Sequence, residues 1–166
     1  MVSPIDGTQA DKAHIYAAEP CEVGALVNLA RKFHEENATA GYLEDFSAEF
    51  WEHYWSSLLA EGLGLILYCT NDIGKPVGLL AATVALAHTD GAMQVTETLW
   101  YVDPDHRSGT LSKRLVRALE TFAVGAEAKR VCMTHLVDDT GLRLSRLFKR
   151  WGYKPFEVGY IKEVEL

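Results

Sequence analysis

The sequence predicts an α/β protein of the α+β-like kind, in which helices flank one mixed, mostly antiparallel sheet. Three strand-like runs joined by short turns follow one another between residues 63 and 102, which is typical of antiparallel neighbours. A single helical segment then separates the third run from the next apolar run, which predicts one parallel βαβ crossover. No internal repeat or linker-like tract interrupts the 166 residues, so we expect one domain.

The first half of the chain predicts a short strand followed by two helices. His14–Ala18 is the strand candidate, and apolar residues recur at helical spacing from about Pro20 to Glu36. Ser47 fits the N-cap of a second helix that runs to Glu61, and the aromatic stripe of this helix predicts core packing. Residues 1–12 are polar, so we expect a flexible tail before a single domain that spans residues 13–166.

The second half predicts the rest of the sheet and two more helices. Asp90-Gly91 is a hairpin signal, and apolar residues at helical spacing mark a helix from Leu111 to Phe122. A basic amphipathic helix is predicted from Thr140 to Trp151. The predicted strands are Leu63–Cys69, Val77–Ala87, Ala92–Val102, Arg130–Val137 and Phe156–Val164.

The composition favours a cytoplasmic protein and argues against several classes of function. No apolar run approaches the roughly 20 residues that cross a bilayer, and the N-terminus lacks the apolar core of a signal peptide. We therefore expect no membrane association. The three cysteines and six histidines show no ligand spacing, so neither a disulfide framework nor a metal site is expected.

Charge is distributed unevenly along this net acidic chain, whose formal charge is −7. Residues 1–100 carry 14 acidic and 4 basic side chains, whereas residues 101–166 carry 9 and 12. A polyphosphate ligand would prefer the second part, and a cationic partner the first. A DNA-binding regulator ranks last, because the chain shows no recognised nucleic-acid module, and we expect no nucleic-acid partner. The basic cluster that such a regulator would use is Arg143, Arg146, Lys149 and Arg150.

The segment after the third predicted strand has the features of an anion-binding turn. Pro104 ends the strand because it has no N–H to donate. A helix opens shortly afterwards, and its unpaired amides and positive dipole end favour an anion such as a pyrophosphate. A single glycine excludes the dinucleotide fingerprint G-x-G-x-x-G, and there is no Walker motif. The small and basic residues of the turn are Arg107, Ser108, Gly109, Thr110, Ser112, Lys113 and Arg114.

Two separated motifs resemble those of the GNAT N-acetyltransferase superfamily. The run Tyr101–Gly109 resembles the signature V-x-P-x-x-R-G that opens the acetyl-CoA loop. The run Leu147–Tyr153 resembles the later segment L-Y-x-K-x-G-F. One helix and one apolar strand separate the two, as in the family, and the element order matches from about His14 onward. Two motifs in the correct order are more specific than either alone.

The resemblance implies an acetyl-CoA-dependent enzyme that transfers acetyl directly to a primary amine in a ternary complex. The pantetheine arm is expected along the strand that ends at Val102, with the pyrophosphate on the amides of about residues 107–112. Glu97, on the same strand, resembles the glutamate that many relatives use as the general base, and a raised pKa in an apolar cleft would suit this role. The expected cofactor-binding residues are Tyr101, Val102, Arg107, Ser108, Gly109, Thr110, Leu111, Ser112 and Phe148.

Two positions depart from the family pattern. Thr110 and Ser112 stand where the family loop usually has glycine or a small residue. Phe148 stands where a tyrosine commonly protonates the departing CoA thiolate, and phenylalanine cannot donate a proton. Water, Tyr153, Tyr160 or no residue could then do this. The alternative reading is a GNAT-fold module that binds CoA with weak or no catalysis.

The acceptor is predicted by charge alone. The acidic first part of the chain favours a cationic amine, either a small molecule such as a polyamine or aminoglycoside, or a protein amine. A homodimer is compatible with the resemblance. The acidic residues concerned are Glu35, Glu36, Glu44, Asp45, Glu49 and Glu52.

Overall fold

A five-stranded mixed sheet is the centre of the computed structural model, which describes residues 14–37, 45–107, 110–136 and 139–159. The strands lie in sequence order; the first three neighbouring pairs are antiparallel and the last pair is parallel. This confirms the predicted fold class and the single parallel crossover. The strands are β1 (Ile15–Ala17), β2 (Gly64–Thr70), β3 (Pro76–Leu86), β4 (Met93–Val102) and β5 (Arg130–Cys132).

Within the described residues, four α-helices cover the two faces of the sheet, and each matches a predicted helix. They are α1 (Val23–Asn37), α2 (Ala48–Ala60), α3 (Leu111–Gly125) and α4 (Asp139–Arg150). The apolar stripe of α3 packs with Leu80 and Val95 on one face of the sheet. Helices α1 and α2 pack with Ile66 and Leu79 on the other. The sheet is therefore buried on both faces, which explains why its central strands are apolar on both sides.

The aromatic stripe of α2 is only partly core. Trp51 and Trp55 are buried in the core shared with α1, as predicted for this helix. Phe50 and Tyr54 instead stack on each other at the surface, where Phe50 is 65% exposed. The Ser47 side chain accepts the amide N–H of Phe50, which confirms the predicted N-cap.

Two strand predictions are wrong in extent. β5 ends at Cys132 instead of Val137, and residues 133–136 form no strand. This segment bends away because the Thr134 N–H donates to the Glu97 side chain instead of to a strand. Of the predicted strand Phe156–Val164, residues 156–159 pair with no strand within the described part of the chain, and Phe156 is 90% exposed. Residues 160–164 and the predicted tail 1–12 lie outside the described residues.

A β-bulge in β4 changes which side chains face which side of the sheet. Ala82 pairs with Glu97 while the neighbouring Ala81 pairs with Leu99, so Thr98 is the extra residue, and its hydroxyl donates to the Ala81 carbonyl over 3.2 Å. After the bulge, Trp100 packs on the α3 side, as Ala82 does. Glu97 and Trp100 therefore face the same side of the sheet despite their odd spacing.

Candidate active site

The parallel strands β4 and β5 diverge shortly after they pair. Their pairing runs from Gln94 with Arg130 to Thr96 with Cys132 and stops there. Along residues 97–102 this edge of β4 has no strand partner within the described part of the chain. The exposed edge presents backbone N–H and C=O groups that an extended, amide-containing ligand can pair with. We call this opening the β4–β5 cleft.

Glu97 lies where the cleft begins, and its side chain is buried, with the residue only 4% exposed. The backbone N–H and the hydroxyl of Thr134 both donate to its Oε2 over 2.9 Å. Burial raises the pKa of Glu97 from 4.5 to about 7, and the two bonds from Thr134 oppose that rise only in part. A carboxylate with this pKa can take up a proton near neutral pH, as a general base must.

The buried carboxyl of Glu97 also predicts a pH dependence of stability. Because its pKa is higher in the folded than in the unfolded chain, the folded state holds more protons between pH 4.5 and about 7. This contribution to the free energy of unfolding is complete below pH 4.5 and is lost as pH rises through 7, by about 3 kcal/mol. Urea denaturation of the wild type and of Glu97→Gln at several pH values should show this fall in the wild type only. Parallel pH curves for the two proteins would contradict it.

Aromatic rings close the α4 side of the cleft around Phe148. Phe148 is 6% exposed, and its ring centroid lies 6.0 Å from that of Trp100 and 6.4 Å from that of His135. Trp151 and Tyr153 complete the cluster. The buried Nε1 of Trp100 has no hydrogen-bond partner within the described residues, which is a costly arrangement unless a ligand supplies an acceptor.

The hydroxyl of Tyr153, one of the two tyrosines considered as proton donors, is already bonded elsewhere. The Tyr153 hydroxyl donates to Glu120 Oε1 over 2.9 Å. Burial and the Glu120 carboxylate raise the pKa of Tyr153 well above its ordinary value of 10, which makes it a poorer acid. Tyr160 lies outside the described residues.

The side chain of Arg107 joins α1 to the end of β4. Its Nε donates to the Val102 carbonyl over 2.7 Å, and a guanidinium nitrogen lies 2.5 Å from Glu36 Oε2. The guanidinium also lies over the Tyr101 ring, and the Tyr101 hydroxyl donates to Glu36 Oε1 over 2.6 Å. Burial would raise the pKa of Glu36, but the bonds from Tyr101 and Arg107 outweigh it and lower that pKa. The positive charge of Arg107, which was expected near a phosphate, is thus already paired with Glu36.

The remaining residues of the predicted anion site surround the start of α3. This 15-residue helix begins at Leu111, which is buried, and the Arg114 N–H donates to the Thr110 carbonyl as the first helical bond. The amides of residues 111–113 precede that bond, no acidic side chain occupies the first turn, and Lys113 is exposed. This is the arrangement that favours an anion at a helix N-terminus. Ser108 and Gly109 lie outside the described residues.

One of the acidic residues predicted to attract a cation is neutralised within the protein, because Glu36 pairs with Arg107. Glu44 lies outside the described residues. The other predicted carboxylates are exposed: Glu35 on α1, Asp45 before α2, and Glu49 and Glu52 on α2.

Three residues of the cleft were not predicted from the sequence: Trp100, Thr134 and His135. The available signal was the order of the strands, because the residues that follow β5 must lie beside the carboxyl end of its parallel neighbour β4. Within the described residues there is no group of three or more His, Cys, Asp or Glu side chains that could hold a metal ion. No helix in the described part of the chain has both the length and the apolar composition needed to cross a membrane.

Comparison with known families identifies the class of protein to which this fold and cleft belong. Residues 25–153 match the family described as the Acetyltransferase (GNAT) family. Because this match covers most of the chain, the chain belongs to the GNAT acetyltransferase family, whose acyl donor is acetyl-CoA. No curated protein sequence is recognisably similar to the chain.

Solved structures share this fold at low sequence identity. An aminoglycoside acetyltransferase from an uncultured soil metagenomic sample has a TM-score of 0.73 and 17% identity, over 92% of this chain and 99% of that one. A ribosomal-protein-alanine N-acetyltransferase from Brucella melitensis has a TM-score of 0.67 and 17% identity, over 90% and 99%. A predicted acetyltransferase from Clostridium acetobutylicum, determined with acetyl-CoA, has a TM-score of 0.70 and 12% identity, over 91% and 96%. At these identities the likeness concerns the fold.

Proposed function

We propose that the chain is an N-acetyltransferase that moves acetyl from acetyl-CoA directly to an amine bound in the same complex. The observation that carries this proposal is Glu97, a buried carboxyl with a pKa of about 7 at the opening of the β4–β5 cleft. The membership of the GNAT family supports acetyl-CoA as donor. The choice of an amine as acceptor rests on the acid–base chemistry that Glu97 offers.

Acetyl-CoA would be held by backbone groups more than by side-chain charge. The pantetheine amides fit the unpaired edge of β4 near Tyr101 and Val102, and Phe148 packs beside them. The pyrophosphate fits the amides at the start of α3, with Lys113 nearby. Arg107 contributes by fixing the end of β4 through Val102. The loop residues proposed for the same contact are Ser108, Gly109, Thr110, Leu111 and Ser112.

The proposed reaction is a nucleophilic acyl substitution. The neutral amine attacks the thioester carbonyl carbon, a C–N bond forms, and the C–S bond breaks with its electron pair staying on sulfur. Glu97 receives the proton that the nitrogen loses, directly or through a water molecule. The bonds from Thr134 then hold the carboxyl group in one orientation. Glu97 returns the proton to solvent after the products leave.

We propose a cationic amine as the acceptor class. The exposed carboxylates of α1 and α2 favour a cationic partner, since Glu35, Glu49 and Glu52 have no ion-pair partner among the described residues. Both a small-molecule amine and a protein amine satisfy this chemistry, and the similar folds include one aminoglycoside acetyltransferase and one ribosomal-protein-alanine acetyltransferase.

A second candidate function is CoA binding without turnover. Phe148 favours it, because this residue cannot supply a proton to the departing thiolate. The two functions share the cofactor but differ in product, since only the enzyme releases free CoA thiol in the presence of an amine.

The test is a thiol-release assay with acetyl-CoA and a panel of amines that includes kanamycin, spermidine and a lysine peptide. Calorimetric titration with acetyl-CoA runs in parallel. An N-acetyltransferase binds acetyl-CoA and releases thiol faster with at least one amine than without. Binding without amine-dependent release would favour the second candidate, and a folded protein that does not bind acetyl-CoA would contradict both.

A further inference from the structure

Acetyl transfer from a thioester leaves a thiolate that needs a proton, and we propose that His135 donates it. The inference rests on the proposed function, which places the thioester in the β4–β5 cleft. His135 was singled out by neither the sequence motifs nor the family resemblance. It is identified by its ring contact with Phe148 and by its place next to Thr134, which hydrogen-bonds to Glu97.

A ring of contacts encloses the opening of the cleft and includes His135. Glu97 on β4 accepts two hydrogen bonds from Thr134, the residue before His135. The His135 ring packs on Phe148, and Phe148 packs on Trp100, which faces the same side of the sheet as Glu97. A thioester whose carbonyl carbon lies within reach of an amine at Glu97 therefore has its sulfur inside this ring.

The unpartnered donor of Trp100 indicates that a ligand belongs in this ring. Its buried Nε1 has no acceptor within the described residues, and a buried unpaired donor destabilises the fold unless something binds to it. An indole N–H can donate a hydrogen bond to sulfur or to the carbonyl oxygen, but it cannot give up its proton near neutral pH.

The other groups of the ring cannot protonate sulfur. Phe148 has no ionisable hydrogen, and Tyr153 donates its hydroxyl to Glu120. Glu97 faces the amine nitrogen in the proposed reaction and returns its proton to solvent only after the products leave, so a separate donor serves the sulfur. Imidazole, by contrast, exchanges protons readily near neutral pH, and the exposed His135 ring can be reloaded from solvent.

The protein holds the His135 ring in a fixed orientation. Its Nδ1 lies 2.9 Å from the Leu136 carbonyl oxygen, and because a carbonyl only accepts, Nδ1 carries the hydrogen of this bond. Nε2 is then the nitrogen that gains and loses a proton. Gly141, at the start of α4, packs directly against the same segment, where an added Cβ would overlap the Leu136 carbonyl oxygen. A side chain at position 141 would therefore displace His135.

The proposed step transfers one proton from His135 to the sulfur of the thioester. The imidazolium of His135 gives its Nε2 proton to sulfur as the C–S bond breaks, which yields neutral CoA thiol and neutral imidazole. Glu97 has taken one proton from the amine, and His135 has supplied one to the thiol. Each side chain then exchanges with solvent, so no oxidant, reductant or further reactant is required.

The test is His135→Asn in the full chain, with His88→Asn as the matched control. The asparagine amide can keep the bond to the Leu136 carbonyl but lacks the second ring nitrogen, while His88 is an exposed residue of the β3–β4 turn. We expect His135→Asn to lower kcat by about 10²-fold or more with acetyl-CoA affinity unchanged, and added imidazole to restore part of the rate. His88→Asn should behave as the wild type.

A change of leaving group separates proton donation from a structural role. With a nitrophenyl thioacetate, whose thiol leaves as a stable anion, the loss in kcat/KM for His135→Asn should shrink to less than about 3-fold. An unchanged kcat in His135→Asn, an equal loss with both thioesters, or a loss of acetyl-CoA binding would each overturn the assignment while wild-type turnover stands. If the wild type itself releases no thiol with any amine, the proposed function fails, and this proposal fails with it.

Discussion

Replacing Glu97 by glutamine is expected to lower kcat by about 10²- to 10⁴-fold and to leave the affinity for acetyl-CoA unchanged. Glutamine keeps the size of the side chain and can still accept the hydrogen bonds from Thr134, but it cannot take a proton from the amine. The loss should therefore appear in kcat and in kcat/KM together, which marks an interaction made only in the transition state.

The pH profile gives the same substitution a second readout. Because Glu97 acts as a base only when deprotonated, the rising limb of the wild-type kcat/KM–pH profile should have its midpoint near the Glu97 pKa of about 7. The Glu97→Gln variant should lack this rise. Glu61→Gln, which changes an exposed carboxyl at the end of α2, is the matched control and should keep both rate and profile. Similar kcat values for wild type and Glu97→Gln would refute the assignment of Glu97 as base.

The Ser112→Glu substitution is expected to weaken acetyl-CoA binding by about 10- to 100-fold without lowering thermal stability. Ser112 lies in the first turn of α3, where the amides are unpaired and the dipole is positive. A carboxylate there is favourable for the helix, so the fold is kept, but it occupies the amides that the pyrophosphate needs and repels its charge. Calorimetric titration measures the affinity, and a thermal melt measures the stability.

Thr121→Glu is the matched control for the Ser112→Glu variant, because it adds the same charge to an exposed position near the other end of α3. It should change the affinity by less than about 2-fold, since exposed charges separated by more than about 10 Å are largely screened at ordinary salt. Equal effects of the two variants, or no effect of Ser112→Glu, would show that the pyrophosphate does not bind at the start of α3.

The antiparallel half of the sheet was predictable because its signals are local. The hairpin signal Asp90-Gly91 lies in the turn between β3 and β4, and Gly91 has the positive φ that such a turn requires. The helices were predictable from the local periodicity of apolar residues. Helix α3, for example, presents Leu111, Leu115 and Leu119 to the core as predicted. In each case the side-chain period alone fixes which face is buried.

The end of β5 was not predictable from its own residues. The run after Cys132 is apolar enough to continue as a strand, yet it leaves the sheet. Two tertiary features decide this: the bulge at Thr98 in the neighbouring strand, and the bond from Thr134 to Glu97. The cleft exists because of this divergence, so the sequence predicted the strand that carries the site but not the opening beside it.

Among the candidate site residues too, those marked by their own segment of sequence were predictable, and those that depend on tertiary contacts were not. Glu97 was predicted as a base with a raised pKa, and the burial and pKa seen here are consistent with that role, which stays a proposal. The partner of Arg107 could not be predicted, because its bond to Glu36 depends on how α1 packs against the end of β4. His135 was not predicted for a related reason. Only its contact with Phe148, a residue of α4, shows that the His135 side chain lies at the cleft.

The most direct test of the central claim follows the acetyl group itself. The purified protein is incubated with acetyl-CoA labelled in the acetyl group and with each amine of the panel, and the label is located by mass spectrometry. Direct transfer predicts label on an amine, no label retained on the protein when the amine is omitted, and labelling of the amine that is at least about 10²-fold slower with Glu97→Gln. Label that never reaches an amine, although acetyl-CoA binds, would contradict acetyl transfer by this cleft.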